Sequence, residues 1–240
     1  MAVKIELKDL SFAYEGGEDI VRSASFSVSP GEVLAVVAPV GAGKTTLLKL
    51  CAGLLPPTGG SLLVDGKNFW ELSAGGQLEL RHRMGFSFQE AALVANMNVF
   101  DNLALPLRYY GDLAESEIES SINAWLGRLN LGAAGKSLPA ALSSGVRQKV
   151  SFIRTALLGR DFLFWDSPTQ DADDAFISLL GDEIQEQKKK GVGQLLTTQS
   201  RGLLFRSADR VLTLDGGKIG YLGPLKGAGT LAGLPGGRDL

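Results

Sequence analysis

The residues best placed to do chemistry in this chain are Lys44 and Thr45, which close the stretch Ala38-Pro39-Val40-Gly41-Ala42-Gly43-Lys44-Thr45-Thr46. Glycines at 41 and 43 let the backbone curl so that its N–H groups converge on an anion, and a helix starting at the lysine adds the positive end of its dipole. A lysine at that point can reach the terminal phosphates of a nucleotide, and the Thr45 hydroxyl can hold Mg²⁺. Such a loop works only between a strand and a helix. Val33-Leu34-Ala35-Val36-Val37 has the β-branched apolar character of a buried strand, and the run Leu47 to Leu55 has the length and residue types of a buried helix. The flanks therefore support phosphate binding. The position that usually opens the loop with glycine is Ala38.

Two further polar residues end apolar runs. Phe162-Leu163-Phe164-Trp165-Asp166 predicts a central strand with an acid at its C-terminal end, well placed to hold a metal-bound water near the phosphate loop. Gly85-Phe86-Ser87-Phe88-Gln89 predicts a short strand from whose end Gln89 points outward. Tyr14 either stacks flat on a base or is an ordinary tyrosine at a sheet edge. The lone His82, between Arg81 and Arg83, is expected at the solvated surface, and the single Cys51 in the core.

The elements that must position these groups follow from periodicity. Val3 to Leu10 and Ser23 to Ser29 alternate as half-buried strands, joined through Glu15-Gly16-Gly17-Glu18 into antiparallel structure. Pro56-Pro57 ends the loop helix and Ser61 to Asp65 is a further strand. Leu78 to Arg83 predicts a short helix, and Ala91 to Tyr110, with its asparagines and Pro106, short helices with breaks. Helical spacing covers Ala114 to Leu131, Arg147 to Leu158 behind a serine cap, and Asp174 to Lys190. Gly193 to Thr198 is a buried strand ending at Gln199, Arg210 to Leu222 a terminal hairpin, and the glycine-rich remainder a flexible tail.

Composition narrows the function classes. The 240 residues suffice for one large α/β domain, and a net charge of −2 leaves no basic excess for general nucleic-acid binding. No run approaches a membrane span, and the N-terminus lacks a signal peptide's layout, so a membrane role is expected only through a partner.

The order of these pieces, up to about Gly223, resembles the nucleotide-binding subunits of ABC transporters. Phe88-Gln89 is similar to the family's Q-loop, and Leu142-Ser143-Ser144-Gly145-Val146-Arg147-Gln148 to its L-S-G-G-Q-R-Q signature. Phe162 to Asp166 is similar to the Walker B strand, with Ser167-Pro168-Thr169 following as in D-E-P-T and Asp173 as the acid of the D-loop. Thr198-Gln199 stands where the family has Thr-His. The run Asn98 to Arg108 is similar to the ATPase subunits of Mla/MCE-type lipid transporters.

The resemblance implies an α/β fold of the P-loop NTPase type, a RecA-like core with an antiparallel β subdomain and an α-helical subdomain. It implies a nucleotide-binding domain over 1–222, with the helical subdomain at roughly 90–158, and a tail at 223–240. It assigns nucleotide contacts to Tyr14, Val40, Gly41, Ala42, Gly43, Lys44, Thr45, Thr46, Gln89 and Asp166, and signature contacts to Ser143, Ser144, Gly145 and Val146. Thr45, Gln89 and Asp166 would hold Mg²⁺, mostly through water. The implied cofactors are ATP and Mg²⁺. The implied partners are a membrane permease subunit and a second nucleotide-binding subunit, identical or different, at the cytoplasmic face of the membrane.

Departures from the family's pattern fall on hydrolysis. Ser167 replaces the glutamate that polarises water, Gln199 the histidine that holds the γ-phosphate, Ser144 a signature glycine and Val146 the signature glutamine. A seryl hydroxyl is no general base at neutral pH, and losing such a group typically costs about 10²–10⁴ in rate. The leading expectation is thus an ATP-binding subunit, lipid-related, with weak or absent turnover. One alternative is a working ATPase using Asp171 or Asp173 as a substitute acid; another is a scaffold without nucleotide.

Overall fold

The computed structural model describes residues 3–110 and 113–225. The chain runs β1 (Ile5–Ala13), β2 (Asp19–Val28), β3 (Val33–Val37), α1 (Lys44–Cys51), β4 (Gly59–Val64), β5 (Lys67–Asn68), α2 (Ala74–His82) and β6 (Met84–Ser87). It continues with α3 (Val99–Tyr110), α4 (Glu115–Arg128), α5 (Ser144–Leu157), β7 (Phe162–Asp166), α6 (Asp174–Lys189), β8 (Gly193–Thr197), α7 (Arg201–Ser207), β9 (Arg210–Asp215) and β10 (Lys218–Pro224).

The alternating N-terminal segments form an antiparallel sheet in the order β2-β1-β4-β5. The continuous apolar runs form a second sheet in the order β10-β9-β3-β8-β7-β6, parallel from β9 to β6 and closed by antiparallel β10. Every residue of β3, β7 and β8 is buried, as a parallel sheet covered on both faces demands. One face packs with α1 against the antiparallel sheet, and the other carries a cluster built from α3, α4, α5 and α6. The C-terminal ends of β3, β7 and β8 consequently open side by side, where the phosphate loop, Asp166 and Thr197 sit.

A buried polar bridge ties β7 to β8 and α6. The Trp165 indole N–H donates to Gln194 Oε1 at 2.9 Å, and Gln194 Nε2 donates to the Ile184 carbonyl at 2.8 Å.

Several local expectations need correction. Ala91 to Tyr110 is not a series of short helices: α3 is one helix with Pro106 inside it. The asparagines that suggested breaks have other tasks. Asn98 accepts from the Asp101 N–H at 2.8 Å as a cap, and the buried Asn102 binds the Val94 N–H and the Met97 carbonyl, pinning the preceding loop. The prolyl nitrogen forfeits one backbone bond, and tertiary packing of Val99, Leu103 and Leu107 outweighs the loss. His82 is half-buried with its ring edge-on to Tyr109, centroids 6.4 Å apart, rather than solvated. α2 begins at Ala74 behind a Ser73 cap, α4 stops at Arg128, and α5 begins at Ser144 behind a Ser143 cap. Gly223 and Pro224, expected in the tail, belong to β10; residues 226–240 lie outside the described residues.

Gln194→Leu strands the Trp165 N–H and removes the second donor to the Ile184 carbonyl, which lies inside α6. A loss of about 2–4 kcal/mol is expected in denaturant unfolding, partly recovered when Trp165→Phe removes the orphaned donor.

Candidate functional site

The loop after β3 bends back because Gly41 and Gly43 adopt φ of 81° and 88°. A Cβ at Gly43 would lie 2.6 Å from Ile20 Cγ2, so both conformation and space require glycine there. Ala38 is not among the residues with positive φ and is buried in the core, which is why alanine replaces the usual glycine without backbone strain. Lys44, the first residue of α1, folds its ammonium onto the Ala38 and Pro39 carbonyls at 2.7 and 2.8 Å. Burial holds its pKa below the ordinary lysine value, with the Asp166 carboxylate opposing that shift.

The loop, the ends of the neighbouring strands and the turn after β7 enclose a cavity of about 700 Å³. Val40, Gly41, Gly43, Lys44, Thr45, Thr46 and Gln89 line it, and so do Ser167 and Gln199. Among the described residues no carboxylate and no imidazole lines it. Val40 stands 86% exposed at its mouth. Asp166 lies one layer behind, 1% exposed, accepting from Thr45 Oγ1 at 3.1 Å and from Thr197 Oγ1 at 3.0 Å. Burial raises its pKa above the ordinary carboxylate value, while the hydroxyl donors and the nearby lysines pull it back.

Tyr14 and Ala42 are not among the lining residues. Tyr14 is 48% exposed, packs edge-on against Phe12 at 4.9 Å, and sets its hydroxyl 3.4 Å from Thr46 Oγ1. The signature residues lie elsewhere. Ser143 caps α5 by accepting from the Val146 N–H at 3.3 Å, and Gly145 is packed so that a Cβ would meet the Asp171 carbonyl at 2.9 Å. Ser144 lines a second cavity of about 370 Å³ with Arg147, Gln148 and Asp171. Gln148 is 4% exposed there, and its Nε2 has no hydrogen-bond partner among the described residues. Asp173 is engaged as the cap of α6, accepting from Phe176 N–H at 2.7 Å, and pairs with Lys149 at 2.6 Å.

Thr197 carries no motif, yet it ties the site together. Its hydroxyl meets Asp166 and accepts the Ser167 N–H at 2.7 Å, which fixes Ser167 in a left-handed turn at φ 49°. A hydroxyl at the end of a buried strand, following Leu195-Leu196, was the available signal. Gln170, whose Oε1 accepts from Gln89 Nε2 at 2.8 Å, had none. The donor set of one buried carboxylate, a threonine hydroxyl and an amide is all oxygen, which fits a hard divalent cation such as Mg²⁺ that uses one carboxylate and keeps its waters.

A parallel sheet with a glycine loop at a helix N-terminus and an acid on a neighbouring strand end defines a nucleotide-phosphate-binding α/β protein. The sequence profile described as ABC transporter matches residues 21–170, so the chain belongs to the ABC transporter family, among its ATP-binding subunits. It is 34% identical over 182 residues to the intermembrane phospholipid transport system ATP-binding protein MlaF of Escherichia coli, covering 76% of this chain and 67% of that protein. It is 32% identical over 229 residues to the methionine import ATP-binding protein MetN of Cereibacter sphaeroides, covering 93% of this chain and 64% of that one. A solved structure described as the ATP binding subunit of an ABC transporter superposes with a TM-score of 0.82 at 30% identity, covering 93% of this chain and 90% of that one. The expected P-loop NTPase fold is thus borne out.

Because folding raises the Asp166 pKa, the folded state binds more protons than the unfolded chain between the ordinary carboxylate pKa and the raised one. Ionised Asp166 therefore costs stability as pH rises through that window. Asp166→Asn is expected to be more stable than the parent in thermal unfolding at neutral pH. The difference should fade as pH falls below the ordinary carboxylate value.

Proposed function

We propose that this chain holds ATP·Mg²⁺ for an ABC transport complex and turns it over weakly or not at all. The observation that supports this best is the cavity itself, where Lys44, Thr45 and the loop glycines are present while no acid or histidine among the described residues lines the wall. In this reading the loop N–H groups and Lys44 bind the β- and γ-phosphates, with the ammonium leaving the Ala38 and Pro39 carbonyls for the nucleotide. Thr45 and Asp166 hold Mg²⁺, with Gln89 reaching its water. A bound metal supplies charge neutralisation at the phosphates. Tyr14 at the rim stacks on the base. Ser167 and Gln199 occupy the places of a general base and a γ-phosphate clamp without supplying either function.

Asp171 and Asp173 are weak substitutes. Asp171 lines the other cavity, and Asp173 is committed to Lys149 and the α6 cap. A scaffold without nucleotide would leave the intact phosphate loop without a purpose.

The signature residues do not line the phosphate cavity of their own chain, which supports completion of the site by a second nucleotide-binding subunit. Among the described residues no helix is long and apolar enough to cross a membrane, so in this proposal docking to a permease places the chain at the cytoplasmic face. The similarity to MlaF and the run Asn98 to Arg108 support a lipid-related cargo; the MetN similarity makes an amino acid the competing cargo. The helical part at roughly 90–158 stands with this proposal, and the domain expected over 1–222 extends at least through Pro224, where β10 ends.

Titration calorimetry should show ATP·Mg²⁺ binding that weakens about tenfold or more in Lys44→Ala, the loss of a charge-assisted contact. Equal affinity in both proteins, or none in the parent, contradicts the proposal. Ser167→Glu with Gln199→His should raise phosphate release by on the order of 10²-fold. Parent turnover already near the ordinary enzyme range of about 1–10³ per second would contradict weak hydrolysis.

A further inference from the structure

Gln89 follows β6 in a segment without regular structure, and its side chain must nonetheless be held in place at the cavity wall. Its backbone is pinned: Ala91 and Ala92 sit in left-handed conformations at φ 62° and 47°, and Arg154 on α5 donates to their carbonyls at 2.8 and 2.9 Å. That clamp fixes the loop and leaves the rotamers of Gln89 free. A glutamine side chain held in one rotamer forfeits about 1.5–2 kcal/mol of entropy, so an exposed one without an anchor wanders. The anchor is Gln170, whose Oε1 accepts from Gln89 Nε2 at 2.8 Å.

The backbone of Gln170 is fixed. Its N–H donates to the Ser167 carbonyl at 3.2 Å, in the turn that Thr197 secures through the Ser167 N–H at 2.7 Å. Both glutamines border both cavities, so the amide pair forms the wall between the phosphate loop's cavity and that of the α5 N-terminus. With Nε2 committed to Gln170, the Gln89 carbonyl oxygen is the end left available, and an oxygen is what a metal-bound water requires as acceptor.

We infer that Gln170 is a positioning residue for the metal end of the site, holding Gln89 so that its oxygen serves the nucleotide-bound cation. This rests on the nucleotide-holding function proposed above and gives a role to Gln170, which lies between Thr169 and the D-loop acid Asp173 and which the resemblance left without one.

The test is a Mg²⁺ titration of the full chain with trinitrophenyl-ATP, read by fluorescence, with a parallel series in chelator. Gln170→Leu is expected to raise the Mg²⁺ midpoint about fivefold, the worth of one hydrogen bond, while nucleotide affinity in chelator and the melting temperature stay at parent values. Gln89→Leu should give the same shift, and the double variant no more than either single change. Gln170→Glu keeps the acceptor and should restore the parent midpoint, and that restoration must vanish when Gln89→Leu is added. An unchanged midpoint in Gln170→Leu, additive shifts, or a Gln170→Glu effect that survives loss of Gln89 overturns the inference. A parent protein that binds no nucleotide overturns the underlying function as well, which separates the two failures.

Discussion

The interaction on which the site depends is the capture of one buried carboxylate by two hydroxyls. Asp166, at the end of β7, accepts from Thr45 at the start of α1 and from Thr197 at the end of β8. Three chain segments that share no local sequence are thereby locked around a single acid. Without those donors a carboxylate 1% exposed would be an uncompensated polar group in the core. The same burial that destabilises its charge makes it a strong partner for a cation, since a divalent ion brought to that point meets a charge that water does not screen. The fold sustains a costly group at the position where a phosphate-bound metal would repay it.

The framework was legible in the sequence because its physics is local. The runs Val33 to Val37 and Phe162 to Trp165 are apolar on both faces, as is Gly193 to Thr197 apart from Gln194 and its terminal hydroxyl, and a doubly covered parallel sheet accommodates that pattern. Gly41 and Gly43 announced a backbone that no other residue adopts as cheaply. What escaped was tertiary. Asn98 and Asn102 resemble helix breakers until a cap and a pinned loop give their amides partners. His82 resembles a surface residue until Tyr109 packs against it from a distant helix. Thr197 and Gln170 matter only through residues far away in the chain, and no window of sequence contains both partners.

The departures at Ser167 and Gln199 sit in an otherwise intact frame. Ser167 keeps a left-handed turn whose N–H is held by Thr197, and Gln199 still faces the cavity. In the proposed function these are the positions that would aim a base and a clamp at the γ-phosphate, and the side chains standing there are a hydroxyl and an amide. Positioning and electrostatics account for nearly all of phosphoryl-transfer catalysis, which is why the proposed function pairs a retained phosphate-holding half with little turnover. Two cavities divided by the Gln89–Gln170 pair also place the signature end of α5 apart from its own phosphate loop, an arrangement suited to two chains sharing each nucleotide.

The central claim, that this chain holds nucleotide without consuming it, is tested most directly by the chemical state of nucleotide it has bound. Protein saturated with radiolabelled ATP and Mg²⁺ would be freed of excess nucleotide, left for hours, then denatured and its contents separated. Recovery of the label as ATP is predicted. Stoichiometric recovery as ADP and phosphate within minutes would contradict the claim.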